Sequence, residues 1–113
     1  MDKDNDIKVW LYDISVAISN IEDFLPEQRI FLEFQKDLKT KMAVQRCVEI
    51  IGEAMSRILK VNPEISITSA RKIVNVRNTV IHGYDKIDDE TIWNIVINHL
   101  PILKSEVEKL LKQ

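Results

Sequence analysis

Ser66-Ile67-Thr68-Ser69-Ala70-Arg71-Lys72-Ile73-Val74-Asn75-Val76-Arg77-Asn78-Thr79-Val80-Ile81-His82-Gly83-Tyr84 is the stretch on which the fold turns. Ile73, Val74, Val76, Thr79, Val80 and Ile81 are β-branched, and propensity alone would allow a strand. The spacing points elsewhere. Ile73, Val76, Val80 and Ile81 recur at helical intervals, and Ser66 and Thr68 are residue types that cap helix starts. A lone strand among helices would also leave its backbone groups without partners. The stretch is expected to form a helix that closes near Gly83, a residue suited to a helix C-terminus.

The flanking segments all read as helix. From Met42 to Leu59, Ala43, Val44, Cys47, Val48, Ile50, Ile51, Ala54, Met55, Ile58 and Leu59 fill about half of a helical wheel. Gln45, Arg46, Glu49, Glu53, Ser56 and Arg57 fill the other half. Gly52 lies on the border, where another backbone can approach closely; glycine in a helix interior otherwise costs ~1 kcal/mol. Asn62-Pro63 ends this helix. Nearer the N-terminus, Ile7, Leu11, Ile14, Ile18, Ile21 and Leu25 place a first helix over residues 5–25, closed by Pro26. Val9, Tyr12 and Val16 form a second apolar stripe on its other side. That stripe has two readings, contact with a partner subunit or a larger share buried inside the bundle. Ile30, Phe31, Phe34 and Leu38 suggest a short second helix. The last helix is expected to start at Asp88 or Asp89 as cap, with Glu90 near the positive end of its dipole. Ile92, Ile95, Val96, Leu103, Val107 and Leu110 supply its buried stripe, and Pro101 should kink it. The expected fold is an all-α, up-and-down bundle of four to five helices, one domain over residues 1–113.

Composition narrows the function classes. The chain has 113 residues, 45% of them hydrophobic and 30% charged, which excludes simple disorder. Two glycines and three prolines disfavour a many-turned β fold. A single cysteine, Cys47, excludes an internal disulfide and a CxxC zinc site. The net charge of −2 gives no overall basic field for a polyanion, so any such contact must be local. The acidic N-terminus does not resemble a signal peptide and no apolar run is long enough to span a bilayer; a cytoplasmic location is expected.

Arg77 falls in the middle of the face that should be buried. An unpaired buried charge is too costly to persist, so an anion should face it: a carboxylate, a helix end or a ligand phosphate. Asn78 and His82 are four apart and stack on one side, where they can hydrogen-bond. His82 lies about 140° around the helix from Arg77. Only the long arginine side chain, or unwinding of the last turn before Gly83, brings the two groups to one site.

Bland readings stand beside these. Arg77 could pair with Glu49 or Glu53, and His82 could simply offset a helix dipole. Glu49 and Glu53, with Arg46 and Arg57 nearby, read as a solvated face carrying i,i+4 pairs. No third ligand is spaced to make them a metal site, and no metal or cofactor is expected. His99 reads as structural or interfacial, Trp10 and Trp93 as core, Tyr12 as packing and Cys47 as inert.

Arg77-Asn78-Thr79-Val80-Ile81-His82-Gly83-Tyr84 resembles the Arg-x4-His-x-Tyr signature of HEPN-domain ribonucleases of the HepT type, the toxins of HepT/MntA toxin–antitoxin pairs (type VII). The likeness extends to Ile50-Ile51-Gly52-Glu53-Ala54 and to Asp88-to-Leu111 with its Leu100-Pro101. Relatives often carry Pro-Trp upstream of the arginine, where this chain reads Ile65-Ser66-Ile67-Thr68-Ser69, a departure expected to alter a helix start and not the chemistry. The resemblance implies a HEPN helical bundle that forms a homodimer, with two copies of the motif around one cleft. It implies metal-independent RNA cleavage by Arg77 and His82 with Asn78 in support, on a tRNA or mRNA substrate. It also implies a partner, an MntA-like nucleotidyltransferase antitoxin, that silences the toxin by AMPylation of Tyr84, within a higher hetero-oligomer if the two stay bound. The alternative is a non-catalytic HEPN module that binds a nucleotidyltransferase or a nucleotide.

RNA carries its own nucleophile, the 2′-hydroxyl. Cleavage needs a base, an acid for the 5′-oxygen, and positive charge on the transition-state phosphorus. Histidine suits either proton role, and the arginine fork matches phosphoryl oxygens. One His82 per chain supplies one proton role; two chains supply both. AMP on Tyr84 would set a bulky anion beside Arg77 and block the cleft.

Overall fold

The computed structural model describes residues 2–82 and 89–113, with residues 77–82 as backbone only. Among the described residues there is helix and no strand. The elements are α1 (Lys3–Phe24), α2 (Phe31–Lys36), α3 (Leu38–Val61), α4 (Ala70–His82), α5 (Asp89–Asn94), a π-helical turn (Ile95–His99) and α6 (Leu100–Leu111). The last three follow without a break, so α5, the π turn and α6 form one continuous rod. The architecture is the expected all-α bundle.

α1 carries its apolar stripe as read. Leu11, Ile14, Ile18, Ile21 and Leu25 are buried, and Ile7 packs against that core from its edge. The helix begins two residues earlier than the periodicity suggests because the Asp2 carboxylate accepts the Asp4 backbone N–H at 3.0 Å. Leu25 leaves the helical region ahead of Pro26, as the residue before proline tends to do. The second stripe is not absorbed by the bundle. Val9, Tyr12 and Val16 are 58%, 62% and 41% exposed, which removes the reading that buries them inside the bundle.

α3 is the central element, packed against both α1 and α4. It starts at Leu38, four residues before the apolar pattern begins. Asp37 is the reason: its carboxylate accepts the Thr40 backbone N–H at 3.1 Å and the Thr40 hydroxyl at 2.6 Å. Leu38 therefore belongs to α3 and not to the short second helix, and it is exposed. Val44, Val48, Ile51, Met55 and Ile58 fill the core from α3. Burying each such side chain contributes about 1.5–3 kcal/mol before entropy is counted. Gly52 is buried among them.

The start of α4 departs from expectation. Neither Ser66 nor Thr68 caps it; the helix begins at Ala70, with Ile73 N–H bonded to the Ser69 carbonyl. Ile73 and Val76 are buried as expected. α4 remains helical through His82, so its last turn does not unwind. Gly83, the expected terminator, and Asp88, one expected cap, lie outside the described residues. Asp89, the other expected cap, is instead the first residue of α5, and its carboxylate pairs with Lys41 of α3 at 3.0 Å.

Pro101 distorts the last rod in a specific way. A proline in a helix offers no N–H to the carbonyl four residues back. The rod answers with one wider turn, Ile95–His99, and resumes as regular α-helix with Pro101 in its first turn. Leu103 and Val107 then return to the core. Trp10 and Trp93 are half-buried and packed against the core; Trp93 lies over Phe34 with ring centroids 4.9 Å apart.

Candidate ribonuclease site

α4 is the element that carries the candidate chemistry. Arg77 and Asn78 lie in its second half and His82 is its last residue. The backbone is regular, so Asn78 and His82 share one side, one turn apart, while Arg77 and His82 are offset by about 140° around the axis and about 7.5 Å along it. The unwinding that would have aligned them does not occur, which leaves the reach of the arginine side chain as the way to one site. Tyr84 lies outside the described residues.

The Arg77 side chain, and with it the expected pairing to Glu49 or Glu53, lies outside what the structure describes. The Glu53 carboxylate accepts from Arg57 at 3.1 Å, an exposed i,i+4 pair. Glu49 and Ser56 are half-buried on the same helix. Cys47 is buried, and burial pushes its thiol up from the ordinary cysteine range, with nearby Arg46 opposing the shift. The inert reading of Cys47 fits. Among the described residues no three of His, Cys, Asp and Glu converge as a metal site would need, and no helix is long and apolar enough to cross a membrane.

The first half of α4 contributes charge. Arg71 and Lys72 are exposed and edge an open cleft of about 380 Å³ shared with Leu59, Ile67, Thr68 and Ser69. Both are positive side chains on the helix that bears Arg77.

Sequence reasoning missed the polar ties that hold the start of α4. Thr68 donates its backbone N–H to the Glu106 carboxylate at 3.1 and 3.2 Å, and its hydroxyl at 2.8 Å. Ser69 Oγ lies 3.0 Å from Nδ1 of His99. His99, read as structural or interfacial, has its structural role here. Glu106 carried no signal, because its partner is 38 positions away in sequence.

The all-helical architecture, with Arg77 and His82 on one helix, agrees with the HEPN resemblance of the sequence. The chain belongs to the HepT-like family: the profile described as "Ribonuclease HepT-like" matches residues 14–110. Similar proteins bear names of the same kind. A candidate RNase of Methanocaldococcus jannaschii is 38% identical over 112 residues, 95% of this chain and 88% of the relative. A Thermococcus cleftensis protein named "Probable ribonuclease HepT" is 39% identical over 109 residues, 93% and 96% of the two chains. A second Methanocaldococcus jannaschii candidate RNase is 33% identical over 108 residues, 95% and 92%. No solved structure matches the chain.

Proposed function

We propose that this protein is a metal-independent RNA endonuclease, the toxin of a toxin–antitoxin pair, held silent by a nucleotidyltransferase that attaches AMP to Tyr84. The observation that carries the reading is the Arg77–His82 pair in Arg-x4-His-x-Tyr spacing within a HepT-like chain. The RNA 2′-hydroxyl attacks the adjacent phosphorus and the 5′-oxygen leaves. His82 of one copy takes the hydroxyl proton and His82 of the second copy protonates the leaving oxygen. Arg77 stabilises the charge on the phosphoryl oxygens, and Asn78 fixes the His82 ring. Arg71 and Lys72 hold the RNA backbone.

Purified protein is expected to cleave RNA in the presence of EDTA, and His82→Ala and Arg77→Ala to remove that cleavage. Equal rates for wild type and His82→Ala would refute the nuclease; RNA or nucleotidyltransferase binding without cleavage would leave a non-catalytic module. Incubation with the partner and ATP should raise the intact mass in steps of one AMP, and Tyr84→Phe should abolish the steps. Log affinity for single-stranded RNA should fall linearly with log salt, and replacing Arg71 and Lys72 with alanine should flatten that slope by roughly 0.7 per charge.

A further inference from the structure

The segment entering α4 gives its polar groups away. Ser and Thr at such positions usually cap the helix that follows. Here the Thr68 backbone N–H and hydroxyl both go to Glu106 of α6, and the Ser69 hydroxyl faces His99 at the end of the π turn. His99 and Glu106 are seven positions apart on the last rod, hence on one face. Two successive residues are thereby fastened to two successive points of another helix. That fixes two properties of α4 at once, its axial register and its rotation.

Both properties matter at the opposite end. A helix is stiff along its axis, and a slip of one residue moves every later position by about 1.5 Å and turns it by about 100°. Arg77 and His82 lie at the far end of the rod whose origin Thr68 and Ser69 define. The π turn is part of the same device. It closes at His99, immediately before Leu100-Pro101, so the wider turn that accommodates Pro101 also sets where His99 meets Ser69.

We propose that Glu106 and His99, through Thr68 and Ser69, are positioning residues that set the register of α4 and so the placement of Arg77 and His82. The proposal rests on the nuclease reading for its effect on cleavage, but its structural half can be read alone. The experiment compares wild type with Glu106→Ala, Glu106→Gln and the exposed neighbour Glu108→Ala in the full chain. Amide chemical shifts of residues 70–82 are followed by NMR, and RNA cleavage kinetics are measured in parallel. Glu106→Ala should shift the amides of Arg77 through His82 as well as those of Ala70 to Lys72. Glu106→Gln, which keeps an acceptor oxygen for Thr68, should restore most of the wild-type spectrum, and Glu108→Ala should match wild type. In the kinetics, Glu106→Ala should lower kcat roughly ten-fold, with KM for RNA little changed, since small misplacements of reacting groups act on rate. Shifts confined to the first turn of α4, or Gln behaving like Ala, would overturn the proposal. If wild type itself fails to cleave RNA while the shift pattern appears as described, the nuclease reading fails and the positioning role stands.

Discussion

Asp37 shows what a single carboxylate does for this chain. Its hydrogen bonds from the Thr40 hydroxyl and then the Thr40 backbone hold its pKa below the ordinary aspartate value, against a small opposing effect of burial and with some help from Lys39. A depressed folded-state pKa means that the unfolded chain binds the proton more readily. The stabilisation is therefore complete above the unfolded value and is lost as pH falls through the folded one. Asp37→Ala should unfold at lower urea than wild type at neutral pH, and the gap should close as the solution is made acid enough to protonate Asp37. A gap that ignores pH would show that the capping carboxylate is not its source. Cys47 gives a second test at this scale: burial and a raised pKa should keep it unreactive toward a thiol reagent in the native protein and fully reactive in denaturant. Prompt labelling of the native chain would contradict its placement. Met55 and Ile58 have no exposed surface; truncating either to alanine should cost about 2–5 kcal/mol, read as a lowered urea midpoint.

The helices themselves were legible from periodicity, because each buries one continuous stripe. Leu11, Ile14, Ile18 and Ile21, or Val44, Val48, Ile51 and Met55, announce a helix whatever lies opposite. What escaped were features decided by distant partners. Ser66 and Thr68 have the chemistry of caps, yet Glu106 claims Thr68, and α4 starts at Ala70. Pro101 announced a disturbed helix but not the π turn found just before it. The candidate site was legible only as a pattern of residue types on α4; convergence of Arg77, His82 and Tyr84 depends on tertiary placement that local spacing does not encode. Gly52 belongs to this scale as well. Its burial within α3 predicts that Gly52→Leu, despite a better helix propensity, will destabilise by about 1–3 kcal/mol through overpacking. An unchanged or higher unfolding midpoint would mean that no neighbour approaches it closely.

At the scale of the molecule, the outer face of α1 stands apart from the core. Its exposed side chains should tolerate charge: Tyr12→Glu and Val16→Glu are expected to change folding stability by less than about 0.5 kcal/mol each, as measured by urea unfolding of dilute protein. A large loss would mean that the stripe is covered even in the isolated chain. The same variants should keep RNA cleavage. That outcome follows from placement: the exposed stripe lies opposite the buried stripe of α1, while α4, which bears Arg77 and His82, packs on α3. Two copies joined back to back along α1 would leave each α4, which packs on α3, away from the seam. If two His82 side chains serve one linkage, as the proposed function requires, the copies meet where α4 is accessible, and the exposed Val9–Tyr12–Val16 stripe of α1 is not their seam.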